Sequence, residues 1–101
     1  MQKLLLAEDI FDALEDGKET TIRQGRRDIS LGELLFVSVE EEREEIVDVI
    51  MVSYCQLQNV SLKDLQNDGF VDHADMLVQM KRFYPEIEEG SEVTVINFRR
   101  V

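Results

Sequence analysis

Four basic residues crowd into the eleven positions Gly17–Arg27, GKETTIRQGRR: Lys18, Arg23, Arg26 and Arg27, against the single acid Glu19. The stretch carries +3 in a chain of net charge −11, so the remainder sums to −14. Cations concentrated against an acidic background recruit a small anionic or polar ligand. The plainer reading is a set of surface cations balancing a crowd of acids. Strand alternation sharpens the first reading. If 19–23 is extended, Thr20 and Ile22 share one face and Glu19, Thr21 and Arg23 share the other. With Ile22 turned to the core, Thr21 and Arg23 project together, a hydroxyl beside a guanidinium. Lys18 stands at the corner before the strand, where its long side chain can swing over Thr21. Such a lysine serves as base for the hydroxyl once desolvation or a nearby cation lowers its pKa, and Arg23 supplies that cation. Arg23 alternatively binds a developing oxyanion.

No other constellation competes. His73 is the single histidine, flanked by Asp72 and Asp75 at an expected helix start, and reads as an exposed residue there. Ser53 and Ser61 lie in no pattern that makes a nucleophile of them. The five glycines are scattered and form no phosphate-cradling loop. No calcium-loop spacing occurs. One cysteine, Cys55, leaves no internal disulfide and no multi-cysteine zinc site, and its setting VSYCQL predicts a buried thiol. Neither a metal nor a cofactor is expected.

The elements that must position these residues follow from periodicity. Lys3–Leu6 is a short apolar run and a first strand. Ala7, Ile10, Phe11 and Leu14 repeat at helical spacing, with Gly17 as the stop. Thr20–Ile22 is β-branched and extended, and Gln24–Ser30 is a polar loop. Glu33–Val39 and Ile46–Leu57 read as a hairpin with Glu40–Glu45 as its charged tip. Ser61–Asp64 resembles a capping box opening a short helix. A second helix starts near Asp72 and carries Met76, Leu77, Met80, Phe83 and Tyr84 until Pro85 ends it. Glu92–Arg99 is the last strand. Helices inserted among antiparallel strands predict an α+β sheet or a small barrel, closure being one way to remove edge strands.

Length and charge bound the partners. The 101 residues suit one domain over 1–101, with 44% apolar and 33% charged residues. The acidic balance argues against sequence-independent nucleic-acid binding, which depends on many Lys/Arg–phosphate contacts. The three leucines of MQKLLLAEDIF are too short a run for a signal peptide or a membrane span, which makes the cytoplasm the expected compartment.

LLLAEDIFDALEDGKETTIR resembles the opening of ASCH domains, PUA-like barrels with a strand, a helix and then G-K-x-T-x-x-R. Here that signature is Gly17, Lys18, Thr20 or Thr21, and Arg23. Leu31-Gly32-Glu33, Asn67-Asp68-Gly69-Phe70 (usually E-G-F), Phe83-Tyr84-Pro85 and the closing VTVINFRRV are similar to further family motifs in the same order, over roughly residues 3–99. The resemblance implies a mostly antiparallel, PUA-like barrel with two or three short helices. Length and the G-K-x-x-T-I-R form look most like the small bacterial N4-acetylcytidine amidohydrolases. That implies a lysine, a threonine and a glutamate cleaving the acetyl amide of cytosine's exocyclic nitrogen. By position these are Lys18, Thr21 and Asp68, an aspartate one methylene shorter than the family's glutamate. An ungapped count back from Tyr84-Pro85 places Gly69 there instead. In the implied mechanism Asp68, protonated, donates to the leaving amine or positions water. The implied substrate is a small neutral nucleoside. The alternative the family suggests is an RNA- or nucleotide-binding module, in which Lys18, Arg23 and Arg26 grip a phosphate. Neither DNA nor a membrane is an expected partner.

Overall fold

Two helices end on left-handed glycines, and these two ends carry the site. The computed structural model describes residues 1–40 and 42–101. The chain runs β1 (Gln2–Leu6), α1 (Glu8–Glu15), β2 (Thr20–Gln24), β3 (Gly32–Ser38), β4 (Glu44–Gln56), a 3-10 turn (Leu57–Asn59), α2 (Leu62–Asp68), α3 (His73–Met80) and β5 (Glu92–Arg100). At the end of α1, Gly17 takes φ +99°. Its N–H bonds the Leu14 carbonyl, while the Lys18 N–H reaches back to Ala13. That pair of bonds closes the helix and fixes where the Lys18 backbone leaves it. Gly69, at φ +109°, closes α2 in the same way, with Phe70 N–H on Leu65 and Gly69 N–H on Gln66. Lys18 therefore follows one glycine stop and Asp68 precedes the other.

The five strands form one sheet in the order β1-β3-β4-β5-β2. β1 pairs β3 in parallel, and every other pairing is antiparallel. The sheet curls into a half-barrel, an α+β arrangement with three helices. It stays open between its edge strands β1 and β2, where a closed barrel would pair them. Apolar side chains pack on both faces. α1 contributes Phe11 and Leu14 to one cluster, with Phe36 and Phe98 meeting edge to face at 5.1 Å. Leu65, Met76 and Met80 of α2 and α3 cover the other, which holds Ile22, Val93 and Val95. β5 serves both clusters by alternation, which makes its run Val93–Ile96 buried throughout.

Several boundaries differ from the sequence expectation. Glu44 and Glu45 belong to the β4 ladder, opposite Val37 and Phe36. The expected tip at 40–45 is correspondingly narrower, and residue 41 lies outside the described residues. α3 stops at Met80, and from Lys81 the chain runs as turns, with the Phe83 and Tyr84 N–H groups both on the Met80 carbonyl. Ser61 caps α2 by accepting from the Asp64 N–H. The reciprocal half of a capping box is missing, since Asp64 Oδ1 accepts from Asn97 at 2.9 Å. Cys55 is half-buried, not enclosed: it packs at the margin of the second cluster, where burial and then Asp64 push its thiol pKa up. No helix among the described residues is long and apolar enough to cross a membrane.

Candidate active site

The opening between β1 and β2 is a cavity of about 190 Å³. Leu5 and Leu6 line it from β1 and Ile10 from α1. Lys18, Thr21 and Arg23 line it from the α1–β2 corner and β2, Asp68 from α2, and Phe83 and Tyr84 from the turn after α3. Ile22 is buried in the second core cluster, as the alternation of β2 requires, and also borders the cavity.

Lys18 is a buried amine. Its Nζ pairs with Asp68 Oδ1 and donates to the Asp68 carbonyl oxygen at 3.1 Å. The aspartate reaches despite its shorter side chain because the end of α2 brings its backbone within bonding range of Lys18. Asp68 Oδ2 accepts the Ile22 N–H at 3.0 Å. Both carboxylate oxygens are thus engaged, Oδ1 with the lysine and Oδ2 with a backbone N–H of β2. Burial, and then the Arg23 charge, push the Lys18 pKa down to about 7 from its ordinary 10.5. The Asp68 carboxylate works in the opposite sense by favouring the charged ammonium.

Arg23 spans the opening. Its Nε donates to Thr21 Oγ1 at 3.1 Å and its Nη1 to the Leu5 carbonyl at 2.8 Å, tying one edge strand to the other. The hydroxyl and guanidinium expected side by side on β2 are in direct contact. Burial, followed by Arg27, lowers the arginine's pKa, against the influence of the nearby Tyr84 hydroxyl.

Arg26 does not join this group. It stacks on the Tyr54 ring at 3.8 Å and lies 3.7 Å from Glu92, exposed on the far side of its loop. The loop is held there by the Arg27 N–H on Thr94 and by the Tyr54 hydroxyl on the Arg27 carbonyl. His73 is exposed, with Nε2 2.7 Å from the Val60 carbonyl oxygen. Among the described residues no cluster of three His, Cys, Asp or Glu could hold a metal ion. Phe83 and Tyr84 are lining residues that periodicity places on α3. The signal was two aromatics directly before a proline, where a helix must already have ended.

A half-barrel whose open seam holds a lysine, a threonine and an aspartate defines the chain as an α+β protein of the ASCH-like fold. It superposes on the ASCH domain of Lactobacillus crispatus with a TM-score of 0.70 at 18% identity, covering 98% of this chain and 78% of that one. An Enterococcus faecalis protein of the DUF984 family matches with a TM-score of 0.71 at 12% identity, over 87% of this chain and 63% of that one. The ASCH structure of Zymomonas mobilis gives 0.66 at 14% identity, over 96% and 65%. The chain thus spans less than two thirds of the second and third of these proteins. At such identities the likeness is one of fold. No family model matches the sequence, and no curated protein does.

Proposed function

We propose that the chain is an amide hydrolase of the cytoplasm that removes a short acyl group from the exocyclic amine of a modified nucleoside, with N4-acetylcytidine or a close analogue as substrate. The observation that carries this reading is the buried Lys18 amine, at a pKa of about 7, in one small cavity with Thr21 and Asp68. Near neutral pH a large share of such an amine is free base, which suits it to move protons. The cavity, at about 190 Å³, is smaller than the roughly 300 Å³ where pockets for drug-sized ligands begin. It suits an acylated base end and not a run of nucleotides. Its mostly apolar walls suit a nucleobase better than a chain of phosphates.

The chemistry balances without an outside reagent other than water. Lys18 Nζ takes the Thr21 hydroxyl proton as Oγ1 bonds the acyl carbon, and the carbonyl electron pair moves to oxygen. The C–N bond then breaks, and the leaving amine takes that proton from Lys18. Water attacks the resulting ester, giving its proton to Lys18. The C–Oγ1 bond breaks, and Thr21 recovers a proton as the carboxylic acid departs. Asp68 holds the amine in place. The Arg23 Nε bond to Oγ1 stabilises negative charge on the nucleophile.

The competing RNA- or nucleotide-binding role would use the same Arg23 and Lys18 on phosphate, and salt separates the two. Phosphate contacts release counterions, so RNA affinity falls steeply with salt, whereas turnover of a neutral nucleoside changes little. N4-acetylcytidine cleavage that persists from low to high salt is the expected result. Salt-sensitive binding of a short RNA with no cleavage assigns the cavity to binding instead.

A further inference from the structure

Two of the three Arg23 nitrogens are committed, and the third is enclosed beside the Tyr84 hydroxyl without a well-formed hydrogen bond. Nε serves Thr21 and Nη1 serves Leu5, but Nη2 is buried with no hydrogen-bond partner among the described residues. A buried donor left unmade costs about 1–3 kcal/mol, and such groups in native proteins call for a reason. The covalent geometry of the guanidinium supplies one. Nε–H and the outer Nη2–H lie parallel on one edge, the side-on fork that receives the two oxygens of a carboxylate. Here one tine of the fork already holds Thr21 Oγ1. An oxygen accepted by the other tine is therefore placed next to the nucleophile at carboxylate-like spacing.

We infer that this edge of Arg23 is a binding site for the oxygen of an acyl group, and that the cavity accordingly binds short carboxylates. The catalytic side of the inference rests on the amide-hydrolase reading. When Thr21 Oγ1 attacks an acyl carbon, that carbon carries two oxygens, Oγ1 and the oxyanion. Nε and Nη2 meet them as they would meet a carboxylate. Charge that develops on the oxyanion then falls on a donor already in place. The free acid released at the end carries the former carbonyl oxygen and the oxygen of water, since Oγ1 stays on Thr21, and it presents one of them to Nη2. Because Nη2 is closed from solvent, the incoming oxygen displaces a lining side chain. Tyr84 is the one already beside the guanidinium, and among the described residues its hydroxyl is held from elsewhere only by Arg27 Nη2 at 3.4 Å.

The test is a sodium acetate titration followed on the Arg23 Nε–H resonance, with sodium chloride of equal ionic strength as control. The wild-type protein is expected to bind acetate saturably through Nη2 alone. Thr21→Ala frees the second tine and should tighten binding roughly tenfold, as one more charge-assisted hydrogen bond would. The Ala substitution removes only a hydroxyl and a methyl, so this variant keeps the test alive if Arg23 variants fold poorly. Arg23→Lys, a point charge without the fork, should lose the tightening, with acetate followed by its own carbon resonance. Acetate binding that is absent, or unchanged by Thr21→Ala, overturns the inference and leaves the hydrolase reading standing if N4-acetylcytidine is still cleaved. Acetate binding with the expected pattern but no cleavage supports the carboxylate site and removes the hydrolase reading.

Discussion

Raising the pH from about 7 to about 10 should stabilise the folded chain through Lys18. The folded pKa of this amine is about 7 and its ordinary value is 10.5. Between these two values the unfolded chain binds more protons than the folded one, so stability rises with pH across that window. Below about pH 7 both states are protonated and the slope vanishes. The slope cannot exceed about 1.4 kcal/mol per pH unit for one proton, and the whole window is worth on the order of 5 kcal/mol at most. The perturbation that isolates it is Lys18→Met combined with Asp68→Asn, which removes both charges and leaves neither buried alone. Cys55 acts with the opposite sign. Its raised pKa keeps the folded thiol protonated while the unfolded one ionises, so its contribution falls as pH rises. Both proteins contain Cys55, and its effect cancels in their difference. Urea unfolding of the two proteins at several pH values, at constant ionic strength, reads that difference. The stability of wild type relative to the variant should climb by about 1 kcal/mol per pH unit in mid-window. Parallel curves, or a difference that shrinks as pH rises, would refute the picture of a buried amine held near neutrality.

The same amine sets the expected activity profile: kcat/KM for N4-acetylcytidine rises with pH through about 7, because only the unprotonated lysine accepts the threonine proton. Asp68→Asn removes the anion that favours the ammonium, so the rise should move to lower pH while the plateau drops about 10²-fold from lost orientation; an unmoved profile would contradict the Lys18–Asp68 pairing. Asn97→Ala deletes the amide that joins Thr20 Oγ1, at 3.0 Å, to Asp64 Oδ1, at 2.9 Å. It should cost about 1–3 kcal/mol in urea unfolding by loosening α2 from the sheet. Gly69→Ala forces a side chain into φ +109° and should cost about 1–2 kcal/mol, read in the same assay.

Most of the scaffold could be read from the sequence because its elements are locally consistent. The i, i+3, i+4, i+7 spacing of Ala7, Ile10, Phe11 and Leu14 matches α1, and the β-branched Thr20–Ile22 matches β2. Lys18, Thr21 and Arg23 are near neighbours in sequence, so one corner and one strand alternation were enough to place them together. Asp68 lies some fifty residues further on, and no local pattern joins it to them; the docking of α2 on β2 does. Charge counting groups Arg26 with the other cations but ignores direction, and its side chain stands outside the cavity on the Tyr54 ring. Its loop is oriented by Thr94 and Tyr54, distant residues that no local pattern connects to it. Phe83 and Tyr84 continued the helical period past the point where the backbone leaves the helix. Periodicity cannot distinguish an aromatic on a helix face from one in the turn beyond it. The parallel β1–β3 pairing and the open seam beside β1 were equally hidden, since they depend on which strands meet and not on what each one is.

The central claim is that Lys18 and Thr21 act as one acyl-transfer unit, and a four-protein comparison of kcat/KM for N4-acetylcytidine tests it most directly. Wild type, Lys18→Ala, Thr21→Ala and the double variant are measured under identical conditions, with folding checked by circular dichroism. Each single substitution should lose about 10²–10⁴-fold, and the double variant should be hardly worse than either, because residues that work as a unit give non-additive losses. Turnover that survives Thr21→Ala, or single losses that multiply in the double variant, would contradict the account.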